Sequence, residues 1–361
     1  MKTANNVKPL SRFIVQHARF NHLNEDILTH LQNPNDHSLL LVIGPSGVGK
    51  TTYEYYLHET LKNLTKLGMD DNFGPPIYIE VPVRKKNEFP WRSFLEEIFV
   101  ALGDDGFDKK VDFDQIISSL KEGGKPSSRA RLTLGQLERL VIERISRLRP
   151  IAIIMDECQS FCADLPASVA KNNLETLKSW TNKMDTRLIL FGTHEASPLL
   201  NMNEQLSRRV NLVYYKRYKN SQNDLTEFMR VFKTFIVDFG IRIDPDLGKN
   251  VPFIYNHSLG CVGLLFDWLA RCYTRLTSKK LSVLTKEIMV QEKSNRFFLE
   301  KAETEIKLFE KYLLESTEDF DPNLIQPDFF SSDNPQIKSN PKVRNPKPGH
   351  RNSNRDLVQL T

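Results

Sequence analysis

Apolar positions along this chain fall into two patterns. Short unbroken runs occur at Leu39-Leu40-Leu41-Val42-Ile43, Ile151-Ala152-Ile153-Ile154-Met155 and Leu188-Ile189-Leu190-Phe191, joined by Ile77-Tyr78-Ile79-Glu80-Val81, rich in β-branched and aromatic residues, and by the apolar-aromatic Asn211-Leu212-Val213-Tyr214-Tyr215. Runs of this length predict strands covered on both faces, as in a parallel sheet. Between them apolar residues recur every third or fourth position, which predicts helices. Residues 12–32 place Phe13, Ile14, Phe20, Leu23, Ile27, Leu28 and Leu31 at mostly helical spacing, giving one or two helices ahead of the first strand. Helices are also predicted from residue 50 to about 67, over 91–102 and 168–184, and over 134–148 with Leu134, Leu137, Leu140, Val141, Ile145 and Leu148 on one face. Gly103 and Pro150 are the stops. Strand alternating with helix predicts an α/β fold, a parallel sheet flanked by helices.

Beyond residue 218 the strand signal fades. Residues 225–240 and 262–276 are amphipathic, and 283–314 keep helical periodicity with a charged outer face. From Glu315 the chain turns to Pro, Asn and Ser, and between Lys338 and Arg355 six basic residues meet no acidic one. That composition does not bury enough apolar surface to offset the entropy of ordering, so a mobile arm is predicted, with Phe320, Phe329 and Phe330 as short docking anchors. The expected division is residues 1–218 for the α/β domain with its N-terminal helices, 219–315 for a helical lid, and 316–361 for a flexible Pro/Asn-rich basic tail.

The chemistry begins behind the first strand, where residues 44–52 read GPSGVGKTT. Gly44, Gly47 and Gly49 free the backbone to turn its N–H groups inward, with Pro45, Ser46 and Val48 between them, as a phosphate-binding loop requires. Lys50 is placed to neutralise β and γ phosphates, Thr51 to offer a hydroxyl to Mg²⁺, and Thr52 continues the helix whose positive end faces the anion. The strand at 151–155 ends in Asp156-Glu157. Asp156 is expected to hold the metal through water, and Glu157 to polarise the attacking water as general base. The strand at 188–191 ends in Gly192-Thr193-His194-Glu195, with the Thr193 hydroxyl in reach of a γ-phosphate or of that water; His194 reads as a solvated loop residue. Arg208 and Arg209 leave two readings open, a surface charge pair or an arginine finger that reaches into a neighbouring subunit's site. Arg19 or His22 is a candidate for the rim of an adenine pocket. Lys85 and Lys86, and Lys121, Lys125, Arg129 and Arg131 in KEGGKPSSRAR, read either as solvated loops or as contacts to a DNA backbone.

Composition changes this picture little. A formal charge of +5 over 361 residues neither demands nor excludes nucleic acid. Cys158, Cys162, Cys261 and Cys272 lack zinc-ligand spacing and read as buried free thiols of a reducing compartment. With no apolar run of the roughly 20 residues that span a bilayer and no signal-peptide pattern, a cytoplasmic protein without membrane contact is expected.

GPSGVGKT, IAIIMDECQS, LILFGTHEA and QLSRRV, in this order, resemble the AAA+ ATPases. With IYIEVPV after the loop helix, residues 10–275 resemble more narrowly the TniB/TnsC regulatory ATPases of cut-and-paste transposons that choose their target sites, CRISPR-associated elements among them. The resemblance implies an AAA+ P-loop NTPase fold with a small helical lid, and ATP and Mg²⁺ as cofactors. It places Walker A at residues 44–51, Walker B at Asp156 and Glu157, sensor 1 at Thr193, and a trans arginine finger at Arg208 or Arg209, with Arg209 favoured. A sensor 2 arginine at the start of a lid helix is missing from Gly260-Cys261-Val262-Gly263, and Arg271 stands as its substitute. The partners implied are double-stranded DNA, further copies of the chain in a ring or helical filament, a TniQ/TnsD-like target selector, and a DDE transposase subunit of the TnsB/TniA kind. Two other classes compete: an initiator-like or repair AAA+ ATPase, and a nucleotide-switched signalling NTPase for which DNA is irrelevant.

Overall fold

The five apolar runs are strands of one sheet, and three of them carry the loops that matter. In the computed structural model, which describes residues 14–32, 39–67, 73–83, 88–102, 133–184, 186–201 and 210–317, these are β1 (Leu39–Ile43), β2 (Ile77–Glu80), β3 (Ala152–Asp156), β4 (Arg187–Gly192) and β5 (Val210–Tyr214). All pair in parallel, in the order β2-β3-β4-β1-β5. Every side chain of β1 and of β3 is buried, which is what their unbroken apolar runs require. Each Leu, Ile or Val so buried contributes roughly 1.5–3 kcal/mol relative to exposure. The architecture is a five-strand parallel sheet flanked by helices, as expected.

The sheet is covered by α1 (Ala18–Gln32), α2 (Lys50–Lys66), α3 (Trp91–Ala101), α4 (Leu134–Leu148) and α5 (Ala167–Lys183). Thr133 opens α4 through a capping box with Gln136. Only Leu137, Val141 and Ile145 of its expected apolar face are buried; Leu134 and Leu148 at the two ends are exposed. Rings of Phe89, Trp91 and Phe94 gather around Phe161, with the Phe89–Phe161 centroids 4.7 Å apart and Trp180 packed behind Trp91 and Phe94, and pin the turn that follows β3.

A second hydrophobic core is built by the C-terminal helices. It contains α6 (Gln222–Asp238), α7 (Pro245–Lys249), α8 (Val251–Ser258), α9 (Val262–Ser278) and α10 (Lys286–Gln291), with Phe228, Phe232, Trp268 and Leu269 at its centre. The periodicity over 283–314 conceals a break. Val283–Leu284 is a short strand, β7, paired in parallel with β6 (Arg242–Ile243), and only then do α10 and α11 (Arg296–Thr317) follow. Two β-branched or apolar residues carry too little local signal to outweigh the helical pattern around them; the pairing partner decides.

The chain forms two compact units, Met1–Lys311 and Tyr312–Thr361, and of the second only 312–317, the end of α11, is described. The predicted tail begins at Glu315, which still lies in α11; the remainder from residue 318 lies outside the described residues.

Within the first unit, α11 packs through Ala302 and Ile306 on Leu259, Cys261 and Leu264. Arg217 fastens it with a bidentate pair to Glu310, 2.9 and 3.0 Å, and also donates to the Leu259 carbonyl at 3.0 Å and the Tyr255 hydroxyl at 3.1 Å. Both side chains of the pair are largely buried. Arg217→Ala strands the Glu310 carboxylate and two acceptors, and is expected to cost about 3 kcal/mol in chemical denaturation; a loss below about 0.5 kcal/mol would assign the docking of α11 to its apolar contacts alone.

Candidate functional site

Residues 44–52 connect β1 to α2 as the sequence predicts. Gly47 and Gly49 adopt φ of 77° and 110°, open to residues without a side chain, and Gly49 is the N-cap of α2. The Lys50 ammonium donates to the carbonyls of Gly44 and Pro45 at 3.0 and 3.1 Å. Desolvation pushes its pKa down, opposed by the charges of Glu54, Asp156 and Glu157. The first turn of α9 closes on the loop: the Leu264 N–H donates to the Gly47 carbonyl at 3.0 Å, and a Cβ on Gly263 would stand 2.5 Å from that oxygen.

Because β1, β4 and β3 are parallel neighbours, their C-terminal ends meet on one edge. Asp156 Oδ2 accepts from the Thr51 hydroxyl at 3.2 Å and from Tyr78 at 3.4 Å, while Oδ1 accepts from the Glu157 N–H at 2.7 Å. Glu157 takes a left-handed conformation, φ 57°, and its carboxylate accepts from the Gln159 amide. Gln159 Oε1 in turn accepts from the Thr193 N–H at 3.2 Å. Gly192 makes this bridge fit, since a Cβ there would lie 2.6 Å from Cys158 Sγ and 2.9 Å from Gln159 Oε1. Burial, and then the adjacent Asp156 charge, raise the Glu157 pKa, which makes it a stronger base than a free carboxylate. The Thr193 hydroxyl oxygen is buried with no hydrogen-bond partner.

A cavity of about 470 Å³ opens over the loop, lined by residues 46–52, Glu157 and Thr193, by Ile14, Val15, His17 and Phe20 on one side, and by Phe235, Val262, Gly263, Phe266 and Asp267 on the other. Its size and mixed polar and apolar walls suit a nucleotide. His17 replaces the expected Arg19 and His22. Arg19 is held by Asp224 at 2.8 Å and lies over the Tyr218 ring, and His22 is exposed beside Glu25. His17 Nδ1 lies 3.0 Å from the Tyr218 hydroxyl, and burial lowers its pKa to about 4, so the imidazole is neutral. Nor does Arg271 stand in for a sensor arginine: its guanidinium donates to the Glu292 carbonyl and Ser294 Oγ, both at 3.1 Å. His194 is half-buried rather than solvated, in a small cleft with Pro45, Ser46, Glu305 and Ile306, because α11 covers that loop. All four cysteines are free and buried, as expected.

Arg208, Arg209, Lys85, Lys86, Lys121, Lys125, Arg129 and Arg131 lie outside the described residues. Among the described residues no helix is long and apolar enough to cross a membrane. Thr51, Asp156 and Glu157 form an all-oxygen donor set of the kind a hard divalent cation such as Mg²⁺ takes. Gln159, Tyr78, His17 and Glu54 were not singled out from the sequence. Only Glu54 left a clear signal there: it shares the buried stripe of α2 with Leu57 and Leu61, an acid where a helix expects an apolar residue.

Residues 33–200 match the family model described as an AAA domain. The chain is 28% identical over 159 residues to the phosphate import ATP-binding protein PstB 1 of Lactiplantibacillus plantarum, covering 38% of this chain and 59% of that relative's length. In structure it is similar to the ORC1 protein of Aeropyrum pernix, solved in complex with DNA, with a TM-score of 0.51 and 18% identity over 83% of this chain and 68% of that one. A Walker-type ATPase of Pyrococcus abyssi aligns at a TM-score of 0.49 and 16% identity, over 86% and 79% of the two chains. The fold is that of the AAA+ P-loop NTPases, and the chain spans about 59% of the length of the first of these relatives.

Gln159 holds the Glu157 carboxylate and the β4 tip in one arrangement, so Gln159→Ala is expected to lower kcat for ATP hydrolysis about tenfold while the nucleotide Kd stays within about twofold. An unchanged kcat in steady-state assays would remove Gln159 from the positioning of Glu157.

Proposed function

We propose that the protein is an ATP-dependent regulator of transposition that assembles on double-stranded DNA, links a TniQ/TnsD-like target selector to a DDE transposase, and disassembles when ATP is hydrolysed. Lys50 and the loop N–H groups bind the phosphates. Thr51 and Asp156 hold Mg²⁺, which when bound neutralises developing charge on the transferred phosphoryl group. Glu157 takes a proton from the attacking water, and the unpartnered Thr193 hydroxyl orients that water or the γ-phosphate.

One observation carries the assembly step. Among the described residues lining the cavity, Lys50 is the one cation; the lid contributes Val262, Gly263, Phe266 and the acid Asp267, and Arg271 is engaged elsewhere. Transition-state charge on a phosphoryl group calls for a second cation. A neighbouring copy supplies it through Arg209 or Arg208, so that hydrolysis waits on assembly. Many copies along one duplex also turn a modest charge per chain into a large one for phosphate contact, through Lys85, Lys86, Lys121, Lys125, Arg129 and Arg131. The motifs IYIEVPV, DECQS and FGTHEA support the transposition reading. The likeness in fold to the Aeropyrum pernix ORC1 protein, itself solved with DNA, favours an initiator-like ATPase as the second reading; both share ATP-driven assembly on duplex DNA.

Glu157→Gln removes the base and leaves the phosphate ligands, so it is expected to bind ATP as tightly as wild type, to lose turnover by at least about 100-fold, and to form rings or filaments under the electron microscope when ATP and duplex DNA are both present. Assembly indifferent to DNA would contradict the DNA reading. A target selector and transposase that fail to bind the assembled form would favour the initiator-like one.

A further inference from the structure

Asp267 is the acid that the lid contributes to the lining of the nucleotide cavity. A carboxylate in the wall of a cavity built for phosphates repels the ligand's own charge, so it belongs beside a part of the ligand that carries none. The fold says which part. Gly263 lies against the phosphate loop, where a Cβ would stand 2.5 Å from the Gly47 carbonyl oxygen. Asp267 follows four residues later on α9, on the same helix face and about 6 Å farther along the axis. That step leads from the phosphates to the next unit of a nucleotide, its sugar. Apolar walls remain for the base: Phe235 and Phe266 pack edge to face with centroids 5.4 Å apart, and Ile14 and Val15 join them in the lining. The carboxylate is also free to serve. It feels the Arg271 charge without being tied to it, because that guanidinium donates to the Glu292 carbonyl and to Ser294 Oγ.

We propose that Asp267 is a specificity-determining residue: it accepts hydrogen bonds from the 2′- and 3′-hydroxyls of the bound nucleotide and so selects ribonucleotides over deoxyribonucleotides. A ribose presents its two hydroxyls on adjacent carbons, a donor for each oxygen of one carboxylate. An acid reads the ribose 2′-hydroxyl in the same way in dinucleotide-binding folds. The competing role is that of a solvated acid on the outside of a helix, four residues from Arg271, which meets no hydroxyl. Acceptance from the amino group of adenine is the other alternative, and it leaves the sugar unread.

This inference rests on nucleotide binding at the phosphate loop and is independent of DNA. The test measures Kd by isothermal titration calorimetry on the full-length protein, for ADP, 2′-deoxy-ADP, 3′-deoxy-ADP and inosine diphosphate, in wild type, D267N and D267A. Asp267 is exposed, so neither substitution opens the core. Removing its charge changes the affinity for every diphosphate alike, and the readout is therefore the ratio of Kd values within one protein. Wild type is expected to bind ADP about tenfold more tightly than either deoxy analogue, and D267A to bring both ratios within about twofold of one. D267N, which keeps one acceptor oxygen, is expected to fall between them. Equal binding of ADP and both deoxy analogues by wild type would overturn the proposal, and so would a preference for ADP that survives in D267A. A D267A protein that stops rejecting inosine diphosphate but still rejects the deoxy sugars would overturn it too, by placing the carboxylate at the base. Failure of wild type to bind ADP would instead overturn the phosphate-loop reading itself.

Discussion

The parallel pairing of β1 with β4 and of β4 with β3 is the constraint from which the site follows. Parallel strands end on the same edge, so the phosphate loop, the Asp156-Glu157 pair and Thr193 converge although long stretches of chain separate them. One hydrogen bond then ties the first to the second, Thr51 to Asp156, and one glutamine ties the second to the third. Packing behind β3 serves the same end: with Phe161 seated among Phe89, Phe94 and Trp91, the left-handed Glu157 is held between a fixed strand and a fixed turn.

The lid is coupled to that edge through backbone rather than through a charged side chain. Its first turn donates from Leu264 to Gly47, and Gly263 permits the approach. Leu264 also meets α11, which Arg217 and Glu310 fasten. The phosphate loop, the lid and α11 therefore stand in contact in series. The charge that a lid arginine supplies elsewhere is absent from the described walls of the cavity, which instead present Asp267. Burial raises the Asp267 pKa, with Arg271 opposing.

The sheet was legible in the sequence because its central strands β1, β3 and β4 are buried on both faces and so read as apolar runs, while the edge strands β2 and β5, each with an exposed face, still carry β-branched and aromatic residues. The loop and the acid pair were legible because phosphate and metal chemistry restrict the residue types. What escaped depends on partners distant in the chain. Val283–Leu284 becomes a strand because Arg242–Ile243 lies beside it. His17, rather than Arg19 or His22, reaches the cavity because Asp224 claims the arginine. His194 is shielded by a helix from the far end of the chain. Gln159 gains its place through a glycine on another strand. Glu54 alone was marked locally, as an acid on an apolar stripe.

A site finished by a neighbouring copy is the central claim, and the dependence of hydrolysis on protein concentration tests it most directly. With ATP saturating, the rate per subunit is expected to rise steeply with protein concentration and to rise further with duplex DNA, as it must when the competent form is an assembly. A rate per subunit that stays constant over about a hundredfold dilution, with and without DNA, would contradict it.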